Sequence, residues 1–245
     1  MPPSESDVGS GPEPRPEPVS RLDDPRAIQI LATEHWSLLA TRSLAFNEAF
    51  TRGGMFLTFL SMSFVALALA SQAMSFGTDF VVIAAIVLGF DLILGLTTYG
   101  RIIGANADDM RAVHGMGRIR HGYTQIAPIV APYFITGTHD DLAATMISYG
   151  NPPSGGLNGW IYGLTTSGGM IGLITALVGG ALAGVVALLV GASTPAALGI
   201  GLVGAVVVFA TIAGASSGTL TRQQKTLDTL FPTPAADATT EDTAV

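Results

Sequence analysis

The sequence predicts an all-α, polytopic membrane protein, with four transmembrane helices arranged as two helical hairpins and cytoplasmic helical extensions. Three observations predict it. Mean hydropathy is +0.50 and 12% of residues are charged, about half the charged share usual in soluble domains. The apolar residues gather in four blocks long enough to cross a hydrocarbon core, which takes roughly 20 residues as a helix. All 11 Lys and Arg lie outside those blocks, before the first, between the second and third, or after the fourth.

Residues 1–22 are rich in Pro, Glu, Ser and Gly, a composition that buries too little surface to order a chain, so a disordered acidic tail is expected. This stretch has neither a basic n-region nor an apolar h-region and is not read as a signal peptide. Residues 1–24 hold six acids and two arginines, and residues 226–245 four acids and no base. The net charge of −7 therefore belongs to the tails. The absence of cysteine excludes disulfides, thiolate catalysis and cysteine-held metal centres.

Residues 23–53 predict a cytoplasmic helix leading into the first span. Asp24 suits an N-cap and Pro25 the first helical position. Ile28, Leu31, His35, Leu38, Leu39, Phe46 and Phe50 form a broken apolar stripe, expected to pack on another cytoplasmic element.

Residues 54–99 form the first hairpin, with spans at 55–74 and 80–99 joined by SFGTD, which is short enough only for a tight turn. The second span contains GFDLILGL, whose Asp91 is the one acid inside any span. Ala84, Leu88, Asp91, Gly95 and Thr98 share a stripe on that helix. Thr58, Ser61, Val65, Ala68 and Gln72 form a small and polar stripe on the first span. A turn centred between Phe76 and Gly77 sets Asp91 opposite the helical turn bearing Ser61 and Ser63, and the stripe selects Ser61 as its partner. No Lys, Arg or His lies within a span, and an ionised Asp at a helix centre costs about 3 kcal/mol. A substantially neutral carboxyl donating to Ser61 or to a backbone carbonyl is the expectation. Two roles stay open: a polar contact between helices, or an intramembrane transport site.

Residues 100–166 are the longest stretch outside the spans. Arg111, His114, Arg118 and His121 recur at three, four and three, one face of a helix. That strip would meet anionic lipid headgroups or an acidic partner, unless it is an ordinary solvated face. Ile102, Ala105, Val113, Met116 and Tyr123 lie broadly opposite, interrupted by Asp109 and Arg120, and Gly115 and Gly117 argue against a straight helix. His114 and His121 stand about 10 Å apart along a helix, too far to share a metal ion. In THDD, 138–141, capping by Thr138 and first-turn acids competes with a metal-ligand role for His139, Asp140 and Asp141. NPPSGGLNG, 151–159, reads as a turn-rich linker, and Trp160 and Tyr162 as headgroup-level anchors.

Residues 167–218 form the second hairpin, spans 168–190 and 196–215 joined by GASTP. Gly168, Gly172, Ala176, Gly180 and Gly184 recur every fourth position, with Ala197, Gly201 and Ala205 on the last span. Such ridges let helices approach closely, within a subunit or between subunits. Residues 219–245 read as a cytoplasmic tail, mostly disordered. The basic residues place both termini and the central region on the cytoplasmic side of the cell (inner) membrane.

The stretches ILATEHWSLLATRSLAFNEAFTRGGMFLTFLS (30–61) and RIRHGYTQIAPIVAPYFITGTHDD (118–141) resemble a family of uncharacterised bacterial multi-pass integral membrane proteins, over roughly residues 28–141. The resemblance implies a family and no activity, and it carries no site residues. The leading expectation is a non-enzymatic, oligomeric membrane scaffold or regulator. The alternative is a channel or proton-coupled transporter using Asp91. The expected partners are the lipid bilayer, a second copy of the chain, and anionic headgroups or an acidic cytoplasmic partner. No cofactor, metal or nucleic acid is expected. An enzyme is disfavoured because the spans lack a nucleophile with its base, and no lysine follows the glycines at 168–172 as a P-loop requires.

Overall fold

Helices make up the chain's secondary structure, and none of the described residues is in a strand. The computed structural model describes residues 22, 24, 26–74, 76–150 and 156–234. The disorder expected at 1–21 and 235–245, and the linker at 151–155, lie outside the described residues.

Among the described residues six α-helices follow in order: α1 (Ala27–Met74), α2 (Thr78–Ile126), α3 (Leu142–Ser148), α4 (Gly156–Thr165), α5 (Ser167–Leu189) and α6 (Thr194–Thr226). A 3-10 segment, Pro128–Tyr133, follows α2. Four helices are long and apolar enough to cross a membrane: α1, α2, α5 and the Thr194–Gly218 part of α6. Large apolar side chains stay exposed along them, among them Phe59, Val65, Ile86, Ile93, Leu177 and Leu202, as lipid-facing positions require.

α1 and α2, of 48 and 49 residues, each run about 70 Å, far beyond their apolar windows. They pack antiparallel along a seam spaced at threes and fours, with Leu31, Leu38, Ala45, Phe56, Leu60 and Leu67 among the inward positions of α1. The facing pairs keep register throughout. Leu31 lies against Gly122, Leu38 against Gly115, Arg42 against Asp109, Phe56 against Gly95, and Ser63 against Asp91. The numbers in each pair add to a nearly constant total, so no slip occurs. Gly115 and Gly117 do not break α2. Gly115 receives the Leu38 side chain, and a Cβ on Gly117 would lie 2.4 Å from the His139 carbonyl oxygen. Leu22, expected within the disordered tail, reaches Gly122 as well.

α5 packs against both α2 and α6, while α6 touches α2 only lightly. Phe56, Leu60, Leu88, Ile102, Ile171 and Val178 form the shared core of α1, α2 and α5. The glycine ridge of α5 is occupied within the chain. Gly168 meets Ile102 and Ile103, Gly172 meets Tyr99 and Ile212, Gly180 meets the Gly201 carbonyl and Ala205, and Gly184 meets the Ala197 carbonyl and Gly201. α5 ends with paired bonds from Gly191 N to Leu188 O and Ala192 N to Ala187 O, with Gly191 at φ 89°, the left-handed exit glycine favours. α4 replaces the end of the expected linker, since 156–159 are helical. It packs on α5, and its Trp160 meets Phe209 of α6 edge-on at 6.5 Å.

Candidate functional site

Three buried carboxylates organise the polar interior, one within an apolar span and two beyond it. Asp91 is 1% exposed, on the α2 face formed by Ala84, Leu88 and Gly95, all buried. Its Oδ1 accepts a hydrogen bond from Ser63 Oγ at 2.9 Å, and its Oδ2 has no hydrogen-bond partner. Ser61 is not that partner. It is exposed, and its hydroxyl donates to the Leu57 carbonyl of its own helix at 2.8 Å. The whole expected stripe of Thr58, Ser61, Val65, Ala68 and Gln72 is exposed. The physical reason is that a helical Ser or Thr can satisfy itself on the carbonyl four residues back, as Thr58 also does on Gly54. Hydroxyls therefore do not mark the packed face, which is set by the seam on which Ser63 lies.

Asp109, 2% exposed, sits on α2 where the expected apolar face seemed interrupted. Arg42 of α1 pairs with it through Nε, and the Tyr149 hydroxyl donates to its Oδ2 at 2.5 Å. The Arg42 guanidinium also lies 5.8 Å from the Tyr149 ring centre. Burial and the adjacent Asp109 push the Tyr149 phenol well above its ordinary value, so it stays protonated and donating. The sequence held a signal for this pair, because the depth rule that aligns the spans also aligns Arg42 with Asp109.

Asp140 is fully buried. Arg118 Nε donates to its Oδ2 at 2.6 Å, Leu230 N to the same oxygen at 2.9 Å, and Phe231 N to its Oδ1 at 2.8 Å. Its own N–H donates to the Phe231 carbonyl at 3.2 Å. Beside it, Asp141 caps α3 by accepting from Ala144 N at 2.9 Å, and takes Thr233 N at 2.7 Å on its other oxygen. Burial raises the affinity of both carboxyls for a proton. The Leu230 amide, Arg118 and the Phe231 amide outweigh it at Asp140, as the Ala144 and Thr233 amides do at Asp141, so both are held below the usual carboxylate range. The N-cap is Asp141 itself, not Thr138.

This geometry corrects the basic strip. Arg111 is exposed and pairs with Asp108 at 2.8 Å. The other three turn inward. His114 is 7% exposed with Nε2 3.3 Å from the Asp228 carbonyl oxygen, Arg118 bonds both Asp140 and that carbonyl, and His121 stacks on Phe231 with ring centres 4.2 Å apart. A free surface for headgroups is not what these residues form. Nor are residues 227–234 a loose tail, since five main-chain atoms from Asp228 to Thr233 are held by hydrogen bonds. That docking could not be found from the sequence, because most of its donors are backbone amides.

No protein-family model, curated protein or solved structure matches the chain.

Proposed function

We propose that this chain is a non-enzymatic, homo-oligomeric scaffold or regulator of the bacterial inner membrane. Its two hairpins span the bilayer, and both termini and the long ends of α1 and α2 project into the cytoplasm. The side carrying all 11 basic residues supports that orientation.

One observation carries the oligomeric reading. Several seam positions of α1 are followed by an exposed neighbour, and at seven of these the flank has the reverse polarity of its surroundings. Along the charged end it is apolar, with Trp36 72%, Leu39 42%, Phe46 36% and Phe50 65% exposed. Along the apolar span it turns small and polar, with Gly54, Ser61 and Ala68 exposed at intervals of seven. Water selects against the first pattern and lipid does not select the second, but a second helix suits both. A second copy of α1, related by an axis normal to the membrane, places each of these residues opposite itself.

The chain has no cysteine, so single-cysteine variants report this contact cleanly. Phe50→Cys and Ser61→Cys should each give disulfide-linked dimers in native membranes, while Ile86→Cys on α2 should not. Equal crosslinking at all three positions, or none at the first two, would sink the reading.

The second reading, a channel or proton-coupled transporter, is favoured by the unpartnered Oδ2 of Asp91. Against it, the spans offer no other carboxyl and no His, Lys or Arg through which a proton could travel. Proton and ion flux in liposomes decides between them. Flux that Asp91→Asn alters while detergent mass is unchanged supports transport, and no flux from either protein supports the scaffold.

A further inference from the structure

We infer that α4 is an interfacial membrane-binding helix, held in the cytoplasmic leaflet by acyl-chain contact alone. It therefore responds to how loosely those chains pack rather than to lipid charge. This rests on the membrane-spanning reading, with the start of α5 on the cytoplasmic side.

Residue types segregate around α4. Leu157, Trp160, Ile161 and Leu164 recur at three, one and three, which puts them on one face of the helix, while Asn158, Tyr162 and Thr165 share another. The rest of the chain leaves most of the apolar face uncovered, with Leu157 71%, Trp160 57% and Ile161 48% exposed. Water selects against such a face, and 10 residues are too few to span the hydrocarbon as a helix. A helix at the membrane surface with one face immersed meets both constraints.

The contacts of α4 say where that face points. Its turn into α5 is closed by hydroxyls. Thr165 Oγ1 donates to the Tyr162 carbonyl at 2.8 Å, and Thr166 Oγ1 donates to the Gly163 carbonyl at 2.7 Å and accepts from Gly169 N at 3.1 Å. α4 is thereby folded back against α5, and Trp160 reaches Phe209 of α6 edge-on. Phe209 stands inside the apolar window of α6, roughly 13 Å along the axis from its Gly218 end. The Trp160 ring is thus aimed at the acyl chains, deeper than a headgroup-level anchor requires. Next to Phe209 in α6, Val206 and Val207 are 61% and 56% exposed, so the apolar face of α4 continues a lipid-facing surface.

Charge decides what holds it there. No Asp, Glu, Lys, Arg or His occurs between Asp141 and Arg222, so α4 carries nothing that attracts an anionic headgroup. Interfacial helices ordinarily combine apolar burial with basic residues. Here apolar burial acts alone, and it grows with the gaps between acyl chains that admit Leu157, Trp160 and Ile161.

The test uses the full chain in liposomes containing a fixed minor share of lipid brominated on its acyl chains, which quenches tryptophan on contact. Trp36→Phe leaves Trp160 as the one tryptophan, and its emission should fall about twofold or more. Trp160→Phe reports Trp36, on the charged part of α1, and should lose little; quenching there as strong as at Trp160 overturns the proposal. Ile86→Trp, in a chain lacking both native tryptophans, reports an exposed position of the second span. An unquenched Ile86→Trp overturns the membrane-spanning reading and this inference with it. A quenched Ile86→Trp beside an unquenched Trp160 overturns this inference alone. Tightening the bilayer with cholesterol should lower Trp160 quenching, taken relative to Ile86→Trp, by about twofold. Phosphatidylglycerol at unchanged chain composition should leave it the same. Quenching that follows phosphatidylglycerol and ignores cholesterol overturns the proposal.

Discussion

Replacing Gly180 by alanine tests the helix packing where two backbones meet. An added Cβ would lie 2.6 Å from the Gly201 carbonyl oxygen, 2.7 Å from Ala205 Cβ and 3.0 Å from Ala205 N. Two of those atoms are main chain of α6, so no rotamer change can relieve the clash. α6 must withdraw by roughly 0.8–1 Å to restore ordinary contact, a gap that forfeits a quarter to a half of each dispersion well along that face. Overpacking of this kind costs about 2–3 kcal/mol. Alanine returns at most about 1 kcal/mol through helix propensity. The net expectation is a loss of about 1–2 kcal/mol. Gly214→Ala, on α6 with nothing within 4 Å of its Cβ, should be neutral or slightly stabilising. Unfolding by SDS in mixed micelles, followed through Trp160 in a Trp36→Phe background, reads the difference, because Trp160 packs against Phe209. If Gly180→Ala is as stable as Gly214→Ala, the close approach of α5 and α6 is wrong.

Ser63→Ala should destabilise the same unfolding transition by about 1 kcal/mol, the scale of a side-chain hydrogen bond between membrane helices, while Ser61→Ala should change it little; the opposite order would restore Ser61 as the partner of Asp91. Arg42→Met leaves Asp109 buried with only Tyr149 and should cost about 3 kcal/mol, the low end for a broken buried pair because Arg42 is partly exposed. Adding Asp109→Leu should recover at least half of that loss, and simple additivity of the two substitutions would refute the pairing. His35, stacked near Tyr123 at 6.0 Å, is lowered from 6.5 by burial and then by Arg120, so the fold favours its neutral form. Its contribution is complete above pH 6.5 and is lost as pH falls through the lowered folded value. Hydrogen exchange around residues 31–38 should therefore lose protection between pH 7.5 and 5.5, after correction for intrinsic rates, and a His35→Phe chain should keep it.

What could be read in advance divides along physical lines. The apolar blocks were legible because twenty apolar residues have few other uses, and the antiparallel depth rule held from Leu31 to Ser63 because a helix pair without slips is a linear ruler. The uninterrupted length of α1 and α2 was harder to see. Hydropathy ends at the membrane surface, whereas the seam continues through Arg42, His35 and Leu31, residues that do not look like one stripe. Ser61 misled because its hydroxyl binds its own helix, so polarity did not report direction. Gly115 and Gly117 were read as helix weaknesses when they are contact surfaces for Leu38 and the His139 carbonyl. Asp140 was illegible for a different reason. Its partners in the 227–234 segment are amides some ninety positions away, and main-chain donors leave no mark in composition or spacing.

The same contacts imply a mechanical link between the two ends of the chain. α6 is packed mainly on α5 and only lightly on α2, so its position depends on the glycine contacts at Gly180 and Gly184. Beyond its end, Asp228–Thr233 is fastened to Asp140 and Arg118, which stand on the far end of α2 and the start of α3. α6 is thus held at two separate places, and a rigid helix held twice couples them. Residues more than about 10 Å apart without shared partners ordinarily contribute independently. Here, Gly180→Ala displaces the helix whose end the docked segment must reach, so its cost should depend on whether Phe231 is present. A double-mutant cycle of Gly180→Ala with Phe231→Ala should show a coupling of about 0.5 kcal/mol or more, at the lower edge of what contacting residues give. Strict additivity would mean that the backbone between Thr226 and Asp228 absorbs the shift, leaving the docked segment blind to α6. A measurable coupling would instead make occupancy of the Asp140 site a readout of how α6 packs in the membrane.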